Sequence, residues 1–123
     1  MLTHISISDY TIVSSLEMEF AAGMTGITGE PGAGKSLMLD ALGLCLGDRA
    51  DPKAVRSGCE RAQIVASFDT GNIPAASNWL KERDLHTGDE CLLRRVITSE
   101  GRSRAYINGS ATTLQDCAEL GAL

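Results

Sequence analysis

The chain has 123 residues, enough for one small domain, and its 43% hydrophobic and 22% charged residues are ordinary for a globular protein rather than a disordered one. Its formal net charge of −5 argues against binding to nucleic acid through overall charge, so any such contact would need a local basic patch. The N-terminus lacks the basic and apolar regions of a secretion signal, and the longest nearly apolar run, residues 37–46, is too short to span a bilayer. We therefore expect a cytoplasmic protein that does not contact membranes.

The cysteine spacing excludes the common zinc and redox motifs. None of the four cysteines forms a Cys-x-x-Cys pair with another; they are Cys45, Cys59, Cys91 and Cys117. This pattern predicts reduced thiols.

The hydrophobic periodicity predicts alternating strands and helices. In chain order we expect strands at 2–8, 15–20 and 24–28, a helix at 35–46, a polar loop at 48–60, a strand at 62–69, a helix at 74–83, a hairpin of 91–98 and 103–108, and a final helix at 114–120. Turns are predicted at 21–23 and at Asn108-Gly109, and Thr113 is expected to cap the final helix. The predicted fold is α/β, with a mixed sheet that has an antiparallel portion.

A complete phosphate-binding motif lies between the third strand and the first helix. It matches G-x-x-x-x-G-K-[ST] and consists of Gly29, Glu30, Pro31, Gly32, Ala33, Gly34, Lys35 and Ser36. Glycines let the backbone N–H groups turn inward, and these groups form a cradle for phosphate together with the positive end of the helix. Lys35 would contact the β- and γ-phosphates, and Ser36 would place its hydroxyl on Mg²⁺. The motif and its strand–loop–helix context predict a P-loop that binds ATP with Mg²⁺.

The chain lacks other parts of a complete ATPase. No Leu-Ser-Gly-Gly signature is present, and no run of four apolar residues after Ser36 ends in an acidic residue. Asp69, at the end of an alternating strand, is a weak candidate for a magnesium ligand. The sequence therefore favours nucleotide binding over hydrolysis by these residues alone.

The flanks of the P-loop are more specific than the motif. Gly-Ala-Gly-Lys-Ser-Leu-Met-Leu-Asp-Ala-Leu-Gly-Leu at 32–44 resembles the RecN family of bacterial, SMC-like DNA-repair ATPases, and so do the stretches at 47–51, 92–97 and 101–109. Pro31 departs from that family, in which threonine is usual. The resemblance implies an ABC/SMC-type head that is split by a coiled coil, with residues 1–123 as its N-terminal half and with the signature and Walker B residues in a C-terminal half.

The resemblance also implies partners and a further site residue. The whole protein would bind ATP, engage two heads around it and act on DNA ends in double-strand-break repair at the bacterial nucleoid. Arg56 resembles the SMC-head arginine that reaches toward the nucleotide, although a solvated loop arginine is the simpler interpretation. Without its C-terminal half, the chain is expected to leave apolar faces uncovered and to self-associate.

Four arginines fall on the predicted hairpin: Arg94, Arg95, Arg102 and Arg104. A contact with a DNA backbone or with a second head is one interpretation. We favour the simpler one, a solvated basic edge that discourages strand pairing.

Two other function classes remain open at this stage. A small P-loop kinase or transferase would need an acceptor site, and phosphotransfer from ATP by these residues would favour it. A non-catalytic nucleotide-binding module, whose exposed surface awaits its missing half, would instead self-associate, and a well-behaved monomer in sedimentation would count against it.

Overall fold

The structure of the protein is a computed structural model that describes residues 2–10, 13–19, 33–49, 52–71, 73–86 and 88–122. Its elements are β1 (Leu2–Tyr10), β2 (Val13–Glu19), α1 (Ala33–Cys45), a short 3₁₀ turn (Pro52–Ala54), β3 (Arg61–Asp69), α2 (Pro74–Glu82), β4 (Glu90–Thr98), β5 (Ser103–Ile107), β6 (Ser110–Thr112) and α3 (Leu114–Gly121). Apart from β6 and the 3₁₀ turn, which falls in the predicted polar loop at 48–60, each of these elements was predicted from the sequence. The predicted turn at 21–23 and strand at 24–28 lie outside the described residues.

The described strands form one sheet in the order β2-β1-β3-β4-β5-β6, and all neighbours are antiparallel. This confirms the predicted antiparallel portion within an α/β fold. The parallel portion of the predicted mixed sheet depended on residues 24–28, so the described strands contain none of it.

One face of the sheet carries the core. Side chains that alternate along four strands are fully or almost fully buried there, among them Ile5, Ile7, Ile64, Leu93 and Ile107. α1 packs on β3 and β4, and α3 packs on β5. Burying each such side chain contributes roughly 1.5–3 kcal/mol, so this covered face is the main source of stability.

The helix ends follow from local chemistry. The Thr113 side chain accepts a hydrogen bond from the Asp116 backbone N–H at 3.1 Å and so caps α3 as predicted. Pro74 begins α2, where its missing N–H costs nothing. Gly47 follows α1 with a φ of 104°, the left-handed conformation that ends many helices.

α1 is less buried than its apolar sequence suggests. Ala41, Leu44 and Cys45 are buried against the sheet, but Leu39 is 55% exposed and Asp40 is exposed beside it. Only one side of the described part of α1 therefore packs on the core.

Candidate nucleotide-binding site

The phosphate-binding motif runs into the start of α1. Gly29 to Gly32 lie outside the described residues, whereas the backbone of Ala33 to Ser36 forms the first turn of the helix. That turn contains no acidic residue. An anion would therefore meet the positive end of the helix dipole with no carboxylate in that first turn, so residues 33–36 fit a phosphate group.

The C-terminal end of α1 is fixed to the sheet by hydrogen bonds. The Cys45 sulfur lies 3.7 and 3.9 Å from the backbone carbonyl oxygens of Ile64 and Leu93, so its single S–H can donate to either of them. Both acceptors lie on central strands, and Cys45 is 2% exposed. These contacts hold the helix axis in one position above β3 and β4.

Arg95 is a second and stronger support of α1. It is 1% exposed, and its Nη1 group donates to the carbonyl oxygens of Leu44 and Asp48, both at 2.8 Å. Its Nε group donates to the Ser103 hydroxyl at 2.6 Å. A cation at the negative end of a helix is electrostatically favourable, so Arg95 joins β4, β5 and the end of the P-loop helix.

The four-arginine interpretation was wrong for Arg95. Alternation along β4 places Arg94 on the opposite face of the sheet from Arg95, and only Arg94 is exposed. The expected basic edge was wrong for Arg94 too, because β4 lies inside the sheet between β3 and β5. The signal available in the sequence was the Arg94-Arg95 pair itself, since neighbours in a strand cannot share a face.

Burial shifts the titration of the groups around Arg95. It raises the pKa of Cys45 to about 12 and that of Cys91 to about 11, and the nearby Cys117 adds to both shifts. Burial lowers the pKa of Arg95, while Cys117, Cys45 and Asp48 act in the opposite direction. The Cys45 and Cys91 thiols are therefore protonated at neutral pH. All four cysteines are free, as predicted.

A tight turn at residues 46–48, directly after α1, also helps to hold the C-terminal end of the helix in place. The Asp48 N–H donates to the Gly43 carbonyl at 3.0 Å. A Cβ atom at Gly47 would lie 2.6 Å from the Leu114 carbonyl oxygen, so α3 approaches the turn closely. The turn that places the Asp48 carbonyl on Arg95 is thus packed between two helices.

The N-terminus of α1 is directed toward the end of the sheet at which β1 ends, near Tyr10. Cys45 lies over Ile64, which pairs with Ile7, whereas Asp40 is near Tyr10, three residues further along β1. Burial, and secondarily the Asp40 carboxylate, raise the pKa of the Tyr10 phenol. The backbone of Ser36 is one helical turn before Asp40 in sequence, about 6 Å along the axis, so the described part of the motif, residues 33–36, lies toward the Tyr10 end of β1.

Arg56 is anchored at that same end of the sheet. Val55 pairs with Tyr10, and the Arg56 N–H donates to the Asp9 carbonyl at 2.8 Å. The Arg56 side chain is exposed. Arg56 therefore lies at the same end of the sheet as the N-terminus of α1. Its role in nucleotide binding stays a prediction.

Asp69 lies at the other end. It ends β3 beside Phe68, which pairs with Leu2, and its carboxylate accepts from the Gly71 N–H at 2.9 Å. Because β3 is antiparallel to β1, Asp69 is remote from the Tyr10 end. Its part in a magnesium site is therefore not supported, and no group of three or more metal-ligating side chains occurs within the described part of the chain.

The fold and the helix that continues the motif define a P-loop-type α/β nucleotide-binding class. Residues 4–113 match the AAA domain family, and the chain belongs to that family.

Two comparisons confirm the resemblance seen in the flanks. The chain is 51% identical over its whole length to the DNA repair protein RecN of Vibrio cholerae serotype O1, and 48% identical over 98% of its length to the RecN protein of Xylella fastidiosa strain Temecula1. It spans only 22% of the length of each of these relatives.

The fold is similar to that of a solved Smc head domain from Pyrococcus furiosus, which carries an extended coiled coil and is bound to the C-terminal domain of ScpA. The TM-score is 0.79 at 19% identity, over 98% of this chain and 32% of that one. This likeness confirms the predicted SMC-head-like fold. None of the helices in the described ranges has the length and apolar character needed to cross a membrane.

Proposed function

We propose that this chain is the Walker A part of a RecN-like ATPase that acts in DNA double-strand-break repair, and that it binds ATP with Mg²⁺. The observation that carries the proposal is the complete phosphate-binding motif, Gly29 to Ser36, whose last four residues open α1. The whole-length similarity to RecN proteins supports the biological context.

Each residue of the motif has a task in this proposal. Backbone N–H groups of 32–36 would surround the β-phosphate, and Pro31, which has no N–H, would be spared that task. Lys35 would neutralise charge on the β- and γ-phosphates, and Ser36 would hold Mg²⁺. The bound ion would neutralise charge on the phosphate oxygens.

We also propose that residues 1–123 form the N-terminal half of a split head, in a protein of the bacterial cytoplasm that acts at the nucleoid. The signature and Walker B residues would come from the C-terminal half, beyond a coiled coil. Head engagement would then place ATP between two complete heads, and hydrolysis would require that assembly. The uncovered faces of the chain would favour self-association when it is alone.

The test is a calorimetric titration of this chain with ATP and with GTP in the presence of Mg²⁺. We expect ATP binding in the parent chain and in a Lys81→Ala control on the exposed surface of α2, and loss of binding in Lys35→Ala. Equal binding by Lys35→Ala and the parent would contradict the proposal.

Turnover separates this proposal from the kinase or transferase alternative. We expect no ATP hydrolysis by the parent chain or by Lys35→Ala. Phosphoryl transfer from ATP to an added acceptor would instead identify a kinase or transferase.

A further inference from the structure

The sheet face opposite the helices carries a group of arginines that sequence analysis only partly identified. We define the arginine face as Arg61, Arg94, Arg102 and Arg104, which lie on three adjacent strands or the turn between two of them. Strand register explains the grouping: Arg61 pairs with Thr98, and Val96 pairs with Arg104. In the hairpin turn, the Thr98 N–H donates to the Arg102 carbonyl, and the Arg102 N–H donates to the Thr98 hydroxyl. Arg61, from β3, was missed because it is 33 residues from Arg94 in sequence.

The arginine face surrounds a shallow cleft of about 260 Å³. Val96, 7% exposed, lies at its apolar floor, and Tyr106 lines one side. The Arg94 guanidinium lies 5.1 Å from the centroid of the Tyr106 ring, a cation–π contact that restrains it while leaving its N–H groups available. The cleft therefore combines a partly ordered cation with a flat apolar surface.

The charge of this face is opposite to that of the chain. Four of the 11 basic side chains surround the cleft, while the whole chain has 16 acidic residues and a net charge of −5. All four arginines are exposed, and the ion pairs found among the described residues involve Arg83 instead. Glu100, in the hairpin turn, is the one acidic residue that lines the cleft.

We propose that the arginine face binds the phosphodiester backbone of DNA, without reading its sequence. Guanidinium groups form charge-assisted and often bidentate hydrogen bonds with phosphate, and several cations on adjacent strands match a polymer that carries regularly spaced anions. The choice of DNA rather than an acidic protein surface rests on the proposed function in DNA repair. The proposal that the face binds an anionic polymer rests on the four exposed arginines and on the cleft that they surround.

The test measures binding of a fluorescein-labelled 20-base-pair duplex to this chain by fluorescence anisotropy between 50 and 200 mM NaCl. Arg94→Gln/Arg104→Gln removes two charges from the face. Arg49→Gln/Lys81→Gln is the matched control, because it removes two charges from exposed positions that do not line the cleft. Urea denaturation of all variants verifies that each is folded.

The parent chain should bind the duplex, and its affinity should fall steeply with salt. In the face variant we expect roughly tenfold weaker binding at 100 mM NaCl and a salt slope, log K against log [NaCl], that is smaller by about 1.8, the value for two lost phosphate contacts. The control variant should match the parent within about twofold, and Glu100→Gln should bind more tightly.

Several outcomes would overturn the inference: no binding by the parent at 50 mM NaCl, equal losses in the face and control variants, or an unchanged salt slope in the face variant. Altered sedimentation of the face variant with unaltered DNA binding would assign the face to a protein contact instead. Failure of the proposed function can be distinguished from failure of this inference. Lys35→Ala should lose ATP binding and keep DNA binding, whereas the face variant should lose DNA binding and keep ATP binding.

Discussion

The Nη1 group of Arg95 donates a hydrogen bond of 2.8 Å to the backbone carbonyl oxygen of Leu44, in the last turn of the P-loop helix. The same group donates to Asp48, so one cation satisfies two carbonyls where α1 ends. The position of the helix that continues the phosphate-binding motif thus depends on a side chain of β4.

We predict that Arg95→Met destabilises the chain by about 2–4 kcal/mol, because the buried Leu44 carbonyl, the partly buried Asp48 carbonyl and the Ser103 hydroxyl lose their donor. Arg95→Lys should cost less, since it keeps the charge but not the fork of donors. Arg94→Met is the matched control on the same strand and should change stability by no more than about 0.5 kcal/mol. Urea denaturation measures all three, and similar losses in Arg94→Met and Arg95→Met would contradict the assigned role.

We predict that Gly47→Ala is more damaging than Gly58→Ala. Both glycines have positive φ, 104° and 87°, so alanine is strained at each by about 1 kcal/mol. Only at Gly47 would the new Cβ also meet backbone, 2.6 Å from the Leu114 carbonyl oxygen, whereas nothing lies within 4 Å at Gly58. The difference between the two variants in thermal denaturation therefore isolates the approach of α3 to the turn, and equal effects would show that α3 can move away.

The strands and helices of the described residues were predictable because their signals are local. Alternation of Ile5 and Ile7 with polar residues defines β1, and Thr113 marks the start of α3 without reference to the rest of the chain. The three residues of β6 carry no such signal, since Ser110–Thr112 becomes a strand only by pairing with β5.

The supports of the candidate site were not predictable, because they depend on contacts that are distant in sequence. Arg95 and Leu44 are 51 residues apart, and Arg61 joins Arg94 only through the register of β3 and β4. Periodicity indicates which residues share a strand face, but not which face the helices cover. The motif at 29–36 could be recognised without that knowledge, whereas the role of Arg95 could not.

We predict that the buried thiols make the chain less stable as pH rises from about 9 toward 12. The pKa of Cys45 rises on folding from an ordinary 9.0 to about 12, so the folded state keeps a proton that the unfolded state loses in this window. Stability then falls by up to about 1.4 kcal/mol per pH unit for that thiol, and below pH 9 the effect is absent.

The measurement is urea denaturation at pH 8, 9, 10 and 11 for the parent chain and for Cys45→Ala. Because other groups also titrate in this range, the informative quantity is the difference between the two proteins. The variant should be the less stable at pH 8, since it loses buried contacts, and this gap should narrow with rising pH. A gap that stays constant would mean that Cys45 does not resist ionisation in the folded state.

We predict that Arg56→Ala weakens ATP binding about three- to tenfold, the loss of a contact between an exposed cation and phosphate. The physical reason is the position of Arg56: its backbone N–H donates a hydrogen bond to the Asp9 carbonyl, at the end of the sheet where the N-terminus of α1 lies. Arg56→Lys should retain part of the affinity, because it keeps the charge. Arg49→Ala is the control, since Arg49 is also exposed in the connection between α1 and β3 but lies at the other end of α1. The measurement is calorimetric titration with ATP in the presence of Mg²⁺. Equal, small losses of ATP affinity in Arg56→Ala and Arg49→Ala would mean that Arg56 is only a surface charge. A loss of affinity confined to Arg56→Ala would place its guanidinium at the triphosphate.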